Sequence, residues 1–146
     1  MLSRRGRRAV FAWLAIGLLL VACGQVPDPP GTPVPESAWA AEWVETLACL
    51  ETLGEAEALA YRDSPSDVRI APRETLIALA AGRRVGGLYL VQWDLVLLAE
   101  EVWANPVLRG FLLRHEFVHA ALLRLTGDPD SAHRSPGFVI CVEVRP

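Results

Sequence analysis

Lysine is absent from the 146 residues, so every basic side chain is an arginine, and acidic groups outnumber them to leave a formal charge of −3. Long apolar stretches are missing too. The longest, Ala9 to Val21 with Gly17 as its interruption, holds 13 residues, short of the roughly 20 that a membrane-spanning helix needs. No internal repeat is present, which sets aside solenoid and propeller architectures. Histidine and cysteine are scarce, with three of each.

What is there begins with an export signal. Met1 to Arg8 carries four arginines, the apolar run follows, and Leu20-Val21-Ala22-Cys23 closes it, the order of a secretory signal peptide. Residues 1–22 are expected to be that signal. The stretch Leu20 to Gly24 resembles the bacterial lipobox, which implies cleavage before Cys23, lipidation of that cysteine and a membrane anchor made by its acyl chains. Plain secretion with Cys23 idle is the alternative. Without the four leading arginines the formal charge becomes −7, and an acidic domain of this kind is not built to bind nucleic acid.

Once Cys23 is assigned to the lipid, Cys49 and Cys141 remain as a pair in an oxidising compartment and are expected to form a disulfide. Closing a loop of about 90 residues stabilises a small domain by roughly 4 kcal/mol in the chain-entropy view. Two buried free thiols are the competing reading.

Residues 23–36 read as a tether, since Gly24 to Pro35 holds five prolines and two glycines without apolar periodicity. The domain itself is expected over 37–146. Trp39, Trp43, Leu47 and Leu50 recur at helical spacing within Ser37 to Leu53, and Gly54 is placed to end that helix. A short strand is expected over Asp67 to Ala71, limited by Pro72, then a weak helix from Arg73 to Ala81 before Gly82. Leu88 to Ala99, opened by Gly86-Gly87 and interrupted at Gln92 to Asp94, reads as two short strands or a hairpin, although an apolar run of this length also suits a helix. The clearest helix is Pro106 to Thr126. Asn105 is a good N-cap, Pro106 suits the first turn, and Gly127 suits the position just past the end.

Two of the three histidines fall on that helix in His115-Glu116-Phe117-Val118-His119. Four residues apart, they lie about 40° apart in projection and roughly 6 Å apart along the axis, so both imidazoles can reach one ion. A catalytic zinc takes three protein ligands and leaves a position for water. Glu116 sits beside them without needing to be a ligand, which suits a general base. Two core histidines on a buried helix are the plainer alternative. The third histidine, His133, follows a segment rich in turn formers, Gly127 to Phe138, and is the expected third ligand if the chain doubles back. Asp128, Asp130 and Glu143 are the alternatives, and Asp130 is also a candidate to orient a ligand imidazole. For stabilising a transition state the candidates are Tyr89, Tyr61 and Arg134.

The His-Glu-Phe-Val-His segment, with His133 after it and Phe138 five residues later, resembles the zincin metallopeptidases, and in layout the minimal, SprT-like zincins with a later histidine ligand. Trp39, Trp43, Cys49, His133 and Cys141 also match the layout of a loose group of bacterial lipoproteins. The resemblance covers most of residues 37–141, with only the zincin motif specific. It implies a small α+β domain, its active-site helix packed against a short sheet, with His115, His119 and His133 holding one Zn2+ ion and Glu116 as the base. Two departures narrow it. A metzincin would have glycine where Leu122 stands, and a gluzincin would have a glutamate on a following long helix, which argues against Glu143.

The expected function is that of a lipid-anchored zinc metallopeptidase acting on a peptide or protein substrate, held by strand addition along an edge strand from Leu88 to Val91. The alternatives are a non-enzymatic surface lipoprotein with a structural zinc or none, and a zinc hydrolase acting on a non-peptide amide of the cell wall.

Overall fold

A computed structural model describes residues 27–55, 57–63 and 66–143; the expected signal and Cys23 lie outside the described residues. Four strands, β1 (Thr32–Pro33), β2 (Asp67–Ala71), β3 (Gly87–Leu90) and β4 (Leu95–Ala99), form one sheet in the order β1-β2-β4-β3. β2 and β4 run parallel, and the two outer pairs are antiparallel. The helices are α1 (Ala40–Thr52), α2 (Arg73–Leu79), α3 (Glu100–Trp103), α4 (Pro106–Thr126) and α5 (Gly137–Ile140). The α+β class therefore holds. Among the described residues no helix is long and apolar enough to cross a membrane.

The sequence of β4, Leu-Val-Leu-Leu-Ala, has no polar alternation, and all five residues are buried. Such a strand must be covered on both faces, and α2, α3 and α4 all pack against it. The 3₁₀ turn Val91–Trp93 and the left-handed Asp94 reverse the chain between β3 and β4. Helix α4 has the limits its sequence announces: the Asn105 side chain accepts from the Val107 and Leu108 amides at 3.1 and 3.2 Å, and Gly127 ends it at φ 77°. Its inner face meets α1. Phe117 lies between Trp39 and Trp43, with ring centroids 5.8 and 5.3 Å away, and Arg114 pairs with Glu42 of α1 at 2.9 Å.

Two expectations need correcting. Helix α2 stops at Leu79 rather than Ala81, because Ala81 and Gly82 both turn left-handed and the Gly82 amide closes back onto the Ile77 carbonyl at 2.8 Å. The proline-rich stretch is also no free tether from Pro27 onward. Thr32–Pro33 pairs with Arg69–Ile70, the Arg69 guanidinium donates to the Pro29 and Gly31 carbonyls, and the Trp93 indole donates to the Pro27 carbonyl at 3.0 Å. Proline is tolerated on an edge strand, whose outer side needs no N–H donor. Gly31 is required here: at φ +83° a Cβ would come within 2.7 Å of the Ile70 carbonyl oxygen.

Candidate metal centre

Helix α4 presents His115 and His119 one turn apart, and Gly127 lets the chain turn back beside them. The returning loop is built from its own polar side chains. Asp128 accepts from the Asp130 amide at 2.8 Å, Asp130 accepts from the Ser135 amide at 2.6 Å, and the Arg134 side chain donates to both carboxylates at 3.2 Å. These contacts, with the Ser135 amide foremost, hold the Asp130 carboxyl below the usual carboxylate range. The loop holds Asp130 and His133 in the left-handed region, at φ 51° and 53°, a conformation that costs a non-glycine residue on the order of 1 kcal/mol or more.

That turn carries His133 back to the helix. Its Nε2 lies 3.1 Å from Nε2 of His119, and one nitrogen from each of His115, His119 and His133 falls within 4.8 Å of the others. Phe138 packs on all three imidazoles, with centroids 5.2, 4.5 and 4.6 Å from those of His115, His119 and His133. The His119 Nδ1–H donates to the Pro129 carbonyl at 2.6 Å, so its Nε2 keeps a lone pair aimed at His133. Two nitrogens bound 2.0 to 2.1 Å from a tetrahedral ion stand about 3.3 Å apart, close to the separation seen. The three imidazoles thus form a group able to hold a metal ion.

Electrostatics favour the ligand form. Burial pushes the His115 imidazole down to about 4, helped by the positive charge that His119 and His133 carry when protonated. Burial also lowers His119, opposed by its bond to Pro129. Neutral imidazoles are the form that binds metal.

Glu116 lies beside this group, nearly fully buried, and lines with the three histidines a cleft of about 270 Å³. Burial raises its carboxyl to about 8, against the pull of a hydrogen bond from the Tyr89 amide of β3. The edge strand reaches it because residue 87 is glycine: a Cβ there would stand 2.8 Å from Glu116 Oε1 and 2.9 Å from Leu98.

The other candidates go elsewhere. Asp128 and Asp130 are used in shaping the loop, and the orienting contact to an imidazole comes from the Pro129 carbonyl instead of Asp130. Glu143 lines a separate groove beside the disulfide. Tyr89 lines the cleft, but its hydroxyl donates to Asp94 at 2.7 Å, and burial followed by that bond pushes its pKa upward. Arg134 is folded onto the loop carboxylates, and Tyr61 packs against the core, away from the cleft lining. Arg83 and Ser131 line the cleft without having been singled out from the sequence; an arginine in a basic pair and a serine in a turn carry no signal of their own. The disulfide is present, Cys49 to Cys141. Comparison of the chain with protein-family models, with curated proteins and with solved structures finds no match.

Proposed function

We propose that the chain is a zinc-dependent metallopeptidase of the minimal zincin kind, exported and held at the membrane by a lipid on Cys23. One observation supports the reading above all: His115, His119 and His133 converge at a cleft that Glu116 shares and the edge strand β3 lines. His115, His119 and His133 would hold one zinc ion, which when bound supplies an acidified water and an electrophilic grip on a carbonyl oxygen. Burial alone keeps the Glu116 carboxyl largely protonated near neutral pH, and a cation held by the three imidazoles would offset that cost, so that Glu116 would take a proton from water on its carboxylate and deliver it to the departing amine. The Tyr89 amide beside that carboxyl favours its ionised form. Among the described residues β3 is an edge strand of the sheet, along which an extended peptide would add as a further strand.

The competing reading, a surface module with a structural metal, draws on the Phe138 ring that covers all three imidazoles. Glu116→Gln separates the two. Zinc content of the purified variant should equal that of the wild type, while peptide hydrolysis falls by roughly 10² to 10⁴. A wild type that binds zinc but cleaves nothing across a broad peptide library, and is indistinguishable from the variant, would assign the structural role.

A further inference from the structure

The geometry points to the Cys49–Cys141 disulfide as a positioning element of the metal centre: it pins the segment that delivers His133, so the third ligand is kept only in the oxidised chain. This inference rests on the three-histidine site proposed above. From Gly127 to Ile140 only Asp130 and Gly137 are buried, and neither brings an apolar side chain to the core. The hydrogen bonds of the Asp128, Asp130, Arg134 and Ser135 side chains stay within the segment or its helix end. The contacts outward are few: the Pro129 carbonyl on His119, the half-buried Phe138 ring on the imidazoles and the edge of the core, and Gly137 close to Leu50 and Val118. The segment becomes firmly held at Cys141, bonded to Cys49 of α1, and at the buried Val142 that follows.

His133 stands eight residues before Cys141. With the bond closed, both ends of the segment are fixed, at α4 and at α1. With it open, little burial opposes the conformational entropy that the loop regains, and the left-handed backbone at Asp130 and His133 adds to the tendency to relax. Phe138 leaves the imidazoles with the same movement. Both cysteines are buried, and the bond lines a groove of about 520 Å³ together with Glu45, Thr52, Arg114 and Glu143. A chain still in a reducing compartment would then hold zinc poorly, and metal loading would follow oxidation of the pair.

The test compares zinc affinity, by competition with a chromophoric chelator, in four species: oxidised and opened chains, each with and without His133→Ala. A water-soluble tertiary phosphine opens the bond. It attacks one sulfur, the S–S bond breaks, water completes conversion of the phosphine to its oxide, and two thiols remain. The thiols are capped with iodoacetamide and the reagents removed, so that neither thiol nor phosphine competes for the metal. Circular dichroism confirms that the helix content is unchanged, and the double variant Cys49→Ser with Cys141→Ser repeats the comparison without reagents. Opening the bond should weaken zinc binding by about 10- to 100-fold, the range for loss of a ligand's support, and should have little further effect once His133 is alanine. Equal affinity in oxidised and opened chains overturns the inference, as does an equal loss with and without His133. Absence of zinc binding in the oxidised wild type would instead remove the metal site itself, and the inference with it.

Discussion

At the scale of single residues, Glu116 depends on a neighbour that has no side chain. Gly87 lets β3 lie against the carboxylate, and the Tyr89 amide two residues on holds it. Gly87→Ala should therefore leave zinc content unchanged while lowering peptide turnover by about 10- to 100-fold, the scale for displacing a reacting group by a fraction of an ångström to an ångström. Turnover like that of the wild type, measured at equal zinc content, would show that the strand has room to move. This dependence was not legible in the sequence, where Gly86-Gly87 reads as the start of a strand and nothing more. The same holds for the Pro129 carbonyl that fixes the His119 tautomer. Both are backbone contacts between distant segments, and a backbone atom has no letter of its own. The imidazoles were legible because helical spacing alone brings His115 and His119 together, and the turn-rich stretch after Gly127 leaves His133 few places to go.

Among the elements, α4 is the one most completely written in its own residues. Asn105, Pro106 and Gly127 mark its ends, while the side turned to the core, with Leu113, Phe117 and Ala121 buried and Leu108 and Phe111 left exposed, is set by packing. Replacing Asn105 by alanine removes the acceptor for two amide donors and should cost about 1 kcal/mol of stability. The urea midpoint should fall without a change of slope; an unchanged midpoint would mean that water caps the helix equally well. β4 was legible only in part: the break at Gln92 to Asp94 suggests two strands, but the apolar run suits a helix as well, and pairing with β2 and β3 decides between them. β1 and α5 were not legible. A strand of two residues and a helix of four have no periodicity to read, and each exists through tertiary partners: β1 through Arg69 and the edge of β2, α5 through the disulfide and Phe138. The hub that joins the elements was equally hidden. Asp94, at the turn of the β3–β4 hairpin, accepts from Ser66, Tyr89 and Arg124, and Arg124 also stacks over Trp43 of α1.

For the molecule as a whole, the feature with the widest consequence is the docking of the proline-rich stretch. The Pro27 carbonyl is held by the Trp93 indole, at the turn between β3 and β4. With Cys23 acylated as proposed, only four residue steps separate the lipid from that fixed point, a reach of about 14 Å at full extension. Such a lipid would hold the body on a short leash and keep the hairpin end of the sheet toward the bilayer. Helix α4, about 31 Å long at 1.5 Å per residue, ends at this hairpin, where Arg124 meets Asp94. Cys23→Ala should release the domain from membranes, and unchanged retention would count against the anchor. Insertion of about 20 Gly/Ser residues after Gly24 should keep attachment while extending the reach by roughly 25 Å. Cleavage of reporter peptides displayed on stalks of graded length then reads the leash directly. The natural chain should cut only those held close to the membrane, and the lengthened one should cut farther out, which makes distance from the bilayer a selector of substrates alongside their sequence.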